Sequence, residues 1–144
     1  MAQFLRITVG ESSFLLPGSA SLDIEKKDKM LANSASGNIV AWKQDRSNKW
    51  PAYAINSMWA IDPGAPWERA VFIPASPFPV GIGVNNVEML TDTDIEPVPF
   101  TPVGEAPSRY GHLFGAVWVD SDKTYLVINP AGLAGYLQTV GGAA

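Results

Sequence analysis

Short apolar stretches recur along the chain, separated by polar or Gly/Pro-rich segments. β-Branched and aromatic residues dominate these stretches, which favours strands over helices. The clearest stretches lie at residues 4–9, 13–16, 39–42, 50–56, 69–75, 80–90, 113–119 and 124–128. With shorter runs included, roughly nine or ten strands at this spacing predict an all-β barrel or sandwich.

Polar connections predict three hairpins between neighbouring strands. Gly10-Glu11-Ser12 joins the first two strands, and residues 120–123 (DSDK) join the last two. Residues 43–49 (KQDRSNK) are expected to form a longer hydrophilic loop. Short polar connections of this composition are typical of antiparallel pairs.

Little of the chain is expected to be helical. Residues 19–31 are the one plausible amphipathic segment, and the stretch after Asn129-Pro130 could form one helical turn. Residues 95–108 contain four prolines, which remove backbone donors and keep the segment extended. Residues 80–90 are predicted to be a single strand that bends at Gly81 and Gly83.

Composition narrows the class of protein. The 144 residues are 47% hydrophobic and 17% charged, which argues for a folded chain with a sizeable core. The net charge of −4 argues against binding nucleic acid, since a phosphate backbone attracts basic surfaces. No apolar run approaches the ~18 residues of a membrane span, and the first 16 residues do not resemble a secretory signal. A soluble, cytoplasmic protein without membrane insertion is expected.

Candidate chemistry is sparse. The chain lacks cysteine, so it can hold neither a disulfide nor a thiolate metal site. His112 is the only histidine, and its place beside an apolar strand predicts a strand-end residue rather than a general base. Asp92, Asp94 and Glu96 alternate and would share one face of an extended segment, where they could hold a hard cation. The segment lacks the glycine and register of a calcium loop, so a solvated acidic edge is preferred. No cofactor, no metal site and no catalytic residue is predicted.

Aromatic residues leave two interpretations open. Trp42, Trp50 and Trp59 lie on or near neighbouring strands, which predicts a cross-strand aromatic cluster. The alternative is an exposed aromatic groove that binds proline-rich peptides or sugars.

The order of segments resembles the CheW-like domain family. The opening FLRITVGESSFLLP is similar to the family's first hairpin, and GIGVNNVEML, the DIEPVP segment, YGHLFGAV and YLVINPAGLAGYL follow in the family's order. Asn85 stands where the family often has Asp, and Pro51 and Ile55 fall on the proline and leucine of a family strand. Residues 42–49 read WKQDRSNK in place of the family's Asn-Leu-Arg-Gly type of turn, which suggests a divergent member.

The resemblance implies a fold and a function. The implied fold is all-β: two small five-stranded SH3-like barrel lobes that share a core, in one domain over residues 1–144 with residues 139–144 disordered. The implied function is a cytoplasmic adaptor, not an enzyme, that couples a chemoreceptor signalling tip to a CheA-like histidine kinase. A pilus-linked or other non-flagellar chemosensory array would suit the departures from the pattern at residues 33–50.

The surface that would bind these partners is predicted at one hairpin. Ile39 and Val40 offer an apolar edge, and Lys43 and Arg46 add charge in the adjacent loop. Affinity is expected to come from exposed apolar residues rimmed by charge. Two other classes remain open: a ligand-binding or enzymatic barrel with an aromatic-lined pocket, and a structural β-module of a larger assembly.

Overall fold

The strands predicted from the apolar stretches form two curled sheets. The computed structural model describes residues 3–33, 37–90, 95–106 and 111–140. Those residues contain twelve strands: β1 Phe4–Val9, β2 Ser12–Pro17, β3 Asp23–Lys26, β4 Leu31–Ala32, β5 Ile39–Asp45, β6 Asn48–Ala54, β7 Arg69–Ile73, β8 Val80–Val84, β9 Asn86–Leu90, β10 Val98–Pro99, β11 Phe114–Asp120 and β12 Lys123–Ile128. One helix, α1 (Pro130–Val140), follows the last strand, and it is too short to cross a membrane.

The two sheets define two lobes. The terminal lobe combines both ends of the chain in the order β10-β11-β12-β2-β1-β9, and the central lobe has the order β3-β7-β8-β6-β5-β4. The predicted all-β fold of two lobes with a shared core and little helix is therefore confirmed. Each sheet has six strands rather than five, because the two-residue strands β4 and β10 extend one edge of each.

A single apolar core lies between the lobes. Leu5, Ile7 and Leu16 of the terminal sheet meet Val71 and Ile82 of the central sheet there, all almost fully buried. Helix α1 closes this shared core with Leu133 and Leu137. Burying large aliphatic side chains contributes on the order of 1.5–3 kcal/mol each, so this core is the main link between the lobes.

Each lobe also has a smaller interior on the opposite face of its sheet. Tyr125 and Val127 pack with Phe4 and Leu15 inside the terminal lobe. The central lobe's interior consists of small residues around two large rings, those of Trp67 and Phe72. Alternation along the strands explains the division, since successive side chains point to opposite faces.

All three predicted hairpins form, but the loop of one of them is shorter than predicted. β1 and β2 join through Gly10-Glu11, and β11 and β12 join through Ser121-Asp122. The predicted loop over residues 43–49 is strand almost throughout, because the β5–β6 ladder continues to the pair Asp45↔Asn48. A two-stranded ribbon that extends beyond the core can pair through its backbone without apolar side chains. The polar composition of residues 43–49 therefore does not indicate where the strands end.

Residues 80–90 do not form one bent strand. β8 pairs with β6 and β7 in the central lobe, whereas β9 pairs with β1 in the terminal lobe. The chain crosses between lobes at Asn85, whose Oδ1 accepts a hydrogen bond from the Gly10 amide at 2.6 Å. Its Nδ2 donates to the Pro66 carbonyl at 3.2 Å, so one amide side chain fixes the crossing to both lobes.

Gly81 and Gly83 serve packing rather than bending. A Cβ on Gly81 would lie 2.7 Å from the Phe72 ring, and one on Gly83 would lie 3.1 Å from the Trp67 ring. The two aromatic rings of the central lobe's interior therefore lie directly over the backbone of β8. Glycine is needed here for close approach.

Of the two helical predictions, the one at residues 19–31 is wrong, and the one after Asn129-Pro130 is correct in place but too short. Residues 19–31 hold two short 3-10 turns, Gly18–Ala20 and Lys27–Lys29, around β3, which pairs with β7. This pairing overrides the local amphipathic pattern, as tertiary contacts often do. Helix α1 is eleven residues long rather than one turn. It includes Thr139 and Val140, and the rest of the tail predicted to be disordered lies outside the described residues.

Trp59 connects the lobes through side-chain contacts. It belongs to the loop after β6, yet its ring contacts Phe14 at 4.8 Å and Phe114 at 5.2 Å between centroids, both in the terminal lobe. The Tyr136 hydroxyl of α1 donates to its carbonyl. Its backbone has a φ of 61°, an unfavourable conformation for a bulky residue, so packing must hold it in place.

Replacing Trp59 should therefore destabilise the whole fold. Trp59→Ala is expected to lower the free energy of unfolding by about 3–5 kcal/mol, measured by urea denaturation. Trp59→Phe should cost less, because the indole Nε1 is buried without a hydrogen-bond partner in the described structure. The control is its neighbour Met58, which is 85% exposed; Met58→Ala should change stability by no more than about 0.5 kcal/mol. Equal effects of the two alanine variants would contradict the role assigned to Trp59.

The close approach of the Phe72 ring to the backbone of β8 allows a second test of stability. Gly81→Ala should cost about 1–3 kcal/mol, because the added methyl group overlaps the buried Phe72 ring. Gly115→Ala on β11 is the matched control, since nothing lies within 4 Å of its added Cβ. The check is the midpoint of urea unfolding of both variants, and a neutral Gly81→Ala would show that the ring has room to move.

Candidate partner-binding surface

The structure separates the four predicted partner-binding residues into two pairs. Ile39 and Val40 are half-buried at the start of β5, where Ile39 packs against the shared core and Val40 against the central lobe's interior. Arg46 is exposed in the turn between β5 and β6. Lys43, expected in a polar loop, lies within β5 instead.

Lys43 forms ion pairs that close the central lobe. Its Nζ lies 2.8 Å from Asp23 Oδ2 and 2.8 Å from Glu25 Oε2, and its side chain is only 17% exposed. The two acids belong to β3, at the opposite end of the sheet order from the β5–β4 edge. The ion pairs thus connect the two ends of the curled sheet. The hydrogen bonds that the Lys43 ammonium donates, first to Asp23 and then to Glu25, raise the pKa of Lys43 above its usual value of 10.5.

An apolar groove of about 460 Å³, here called the Ile39 groove, opens beside this hairpin. Its walls include Ile39, Trp42, Pro51, Phe78, Val80 and Gln138, with Lys49 at its edge. Ile39 and Val80 also contact the shared core, so the groove is an open end of the space between the central sheet and α1. Gln138 Nε2 donates to the Ser76 carbonyl at 2.8 Å and joins the helix to the Phe78 loop.

A second depression, of about 340 Å³, lies on the other side of Ile39. Val40, Met30 and Trp67 contribute to its wall, and the Lys27 ammonium lies 5.1 Å from the centre of the Trp67 ring. A cation over an indole face is a favourable contact. Lys43 and Arg46 line neither of these two hollows.

The predicted cluster of three tryptophans does not form. Trp59 packs in the shared core, Trp50 lies against Phe72 in the central lobe, and Trp42 lines the Ile39 groove, where its Nε1 donates to Asn33. The three side chains lie at separate places because they belong to different faces and different segments. The sequence analysis did not single out Phe78 and Gln138 of this groove, because neither lies in one of the apolar stretches that predict strands.

The other candidate chemical groups, the acidic segment and His112, form no cluster among the described residues. Among the described residues, no group of three or more His, Asp and Glu side chains could hold a metal ion. Asp92 and Asp94 lie outside the described residues, and Glu96 is exposed. His112 lies just before β11, and its carbonyl accepts a hydrogen bond from Asn129 Nδ2 at 3.1 Å.

Comparison with known proteins identifies the fold. No protein-family profile matches this chain, and no curated protein matches it by sequence. The two-lobed β-architecture is a CheW-like fold, as the likeness to a solved structure shows. The crystal structure of the scaffolding protein TtCheW from Thermoanaerobacter tengcongensis superimposes with a TM-score of 0.61. The similarity covers 89% of this chain and 88% of TtCheW at 14% sequence identity, so it shows a shared fold.

The ion pairs of Lys43 predict a pH dependence of stability. A raised pKa means that the folded state binds the proton more tightly, so the stabilisation is complete below about pH 10.5 and is lost as pH rises through the higher folded value. At neutral pH, the free energy of unfolding of wild type should therefore be higher than that of Lys43→Met. This difference should become smaller as the pH rises above about 10.5. Lys49→Met, at an exposed position of β6, is the control. A difference that does not change with pH would contradict the assignment.

Proposed function

We propose that the chain is a chemosensory adaptor that binds a CheA-like histidine kinase and a chemoreceptor signalling tip, without catalysing a reaction. The observation that carries the proposal is the two-lobed fold shared with a scaffolding protein over nearly the full length of both chains. An adaptor of this kind works in the cytoplasm, where the kinase and the signalling tip are found. Its partner contacts would supply the function, and no cofactor is needed.

The Ile39 groove is the surface that best suits one of these partners. Phe78 is 40% exposed at its edge, and the apolar wall continues into the shared core. Binding energy concentrates where a partner's apolar side chain enters such a hollow and charged residues surround it. Ile39 and Val40 would contribute apolar contact, whereas Lys49 and Arg46 would supply the surrounding charge.

Lys43 has a different part in this proposal. Because its ammonium already contacts Asp23 and Glu25, its first effect is to hold β5 against β3 and so to shape the hairpin. Reversing Lys43 to Glu would bring three carboxylates together and would disturb the lobe itself. Arg46, exposed in the turn, can be reversed without that complication.

The proposal is tested by calorimetric titration of the purified chain with a CheA-like regulatory domain and, separately, with a receptor signalling tip. Wild type should bind both partners, and Phe78→Ser should weaken binding of at least one by about tenfold. Arg46→Glu should weaken binding by a smaller factor that falls with added salt, because exposed charges are screened. Both variants should melt within a few degrees of wild type.

Met58→Ser is the control, since it removes an exposed apolar side chain, 85% exposed against 40% for Phe78, that does not line the groove. A wild-type chain that binds neither partner would refute the adaptor function. Binding that Phe78→Ser and Arg46→Glu leave unchanged would retain the adaptor but exclude the Ile39 groove as its contact surface.

A further inference from the structure

An apolar stripe runs across the outer edge of the terminal sheet. Val98 on β10, Val117 on β11 and Leu126 on β12 are direct cross-strand partners, so their side chains point to the same side. Val119, two residues from Val117 on β11, extends that side. Phe100 directly follows β10 and lines the same depression as Leu126. Val98 is 63% exposed, Val119 60% and Phe100 39%. We call these five residues the terminal stripe.

The other face of β11 and β12 packs against the interior of the terminal lobe. Trp118 and Tyr125 stack there at 5.6 Å between ring centroids and belong to the lobe's interior. A sheet with one face buried normally presents polar residues on the other. This part of the sheet is apolar on both faces, and the interior face is the better covered of the two: Tyr125 is 7% exposed there, whereas Val98 and Val119 are 63% and 60% exposed.

The stripe continues a surface that already buries apolar residues. Leu126 packs against the shared core at one end, and Phe114 beside it contacts Trp59 and Phe14. A depression of about 350 Å³ lies at this end, with walls from Phe100, Pro102, His112, Leu113, Phe114 and Leu126. A partner's side chain could therefore enter this depression while the rest of its apolar face covers the valines.

The segments that carry the stripe have a net negative charge. Between residues 95 and 128, the described part of the chain contains four acidic residues, all exposed: Glu96, Glu105, Asp120 and Asp122. The one lysine in that part is Lys123. Seven of the ten Lys and Arg residues of the chain lie instead at residues 26–69, in the central lobe. An acidic surround favours a partner of positive charge.

The edge is poorly suited to pairing with a strand. Pro97, Pro99 and Pro102 flank or interrupt β10, and proline has no backbone N–H to donate to an added strand. Recognition must then rest on side chains. A helix that presents apolar residues at i, i+3, i+4 and i+7 provides an apolar face of this kind with charged residues beside it.

We propose that the terminal stripe is a docking surface for a basic amphipathic helix of a protein partner. The apolar face of that helix covers Val98, Val117 and Val119 and inserts a side chain beside Phe100. Its lysines or arginines lie near the acids at the border. This surface is separate from the Ile39 groove and does not depend on the identity of the kinase or receptor.

The test uses a synthetic peptide built on the repeat Leu-Lys-Lys-Leu-Leu-Lys-Leu, titrated into the full chain by calorimetry. A peptide with glutamate in place of each lysine is the charge control. The basic peptide should bind wild type, and the acidic one should not. The double variant Val98→Ser/Val119→Ser should bind the basic peptide about tenfold more weakly, and Glu96→Gln/Asp122→Asn should reduce binding at low salt.

Met58→Ser, an exposed apolar residue of the other lobe, is the control and should bind as wild type does. All substituted positions are exposed, so melting curves should stay close to that of wild type. Equal affinity of wild type and the double valine variant would overturn the proposal, because binding would then rest on charge alone. Failure of the basic peptide to bind would also overturn it. Dimerisation of wild type that the double valine variant abolishes would assign the stripe to contact between copies and would equally overturn it.

Discussion

The apolar core between the two sheets is the constraint on which the rest of this structure depends. Each sheet curls around its own small interior, but the larger aliphatic side chains lie on the faces that meet. The chain crosses between lobes at Asn85, and Trp59 reaches from one lobe into the other. Separating the sheets would expose these apolar faces to water, so the lobes stabilise each other.

This arrangement also determines where partners can bind. At both candidate surfaces, the sheet face that packs on the shared core continues beyond the elements that cover it. The Ile39 groove lies where the central sheet passes the end of α1, and the terminal stripe lies where β10 to β12 extend beyond Phe114. The surfaces belong to different lobes and differ in the charge around them.

Ion pairs help to close the sheet of the central lobe. Lys43 was expected to be a free charge on a loop, but it joins β5 to β3 through Asp23 and Glu25. Its residual exposure is low, and its hydrogen bonds favour the protonated form. The charges available for partners are therefore those at the hairpin turn and around the terminal stripe, where no sheet closure depends on them.

The sequence by itself determined most of the longer strands, the hairpins at residues 10–12 and 120–123, and the order of segments that predicted the two-lobed fold. These features are local, because alternation and turn residues act over a few positions. Only the tertiary structure decided that residues 80–90 divide between two lobes, that residues 19–31 contain a strand, and that residues 43–49 pair as a ribbon. The same holds for the candidate surfaces: Ile39 was predicted, but Phe78 and Gln138 joined it from distant segments. Contacts of this kind depend on which faces meet across the core. A short-range sequence pattern cannot predict them, because the residues that meet are far apart along the chain.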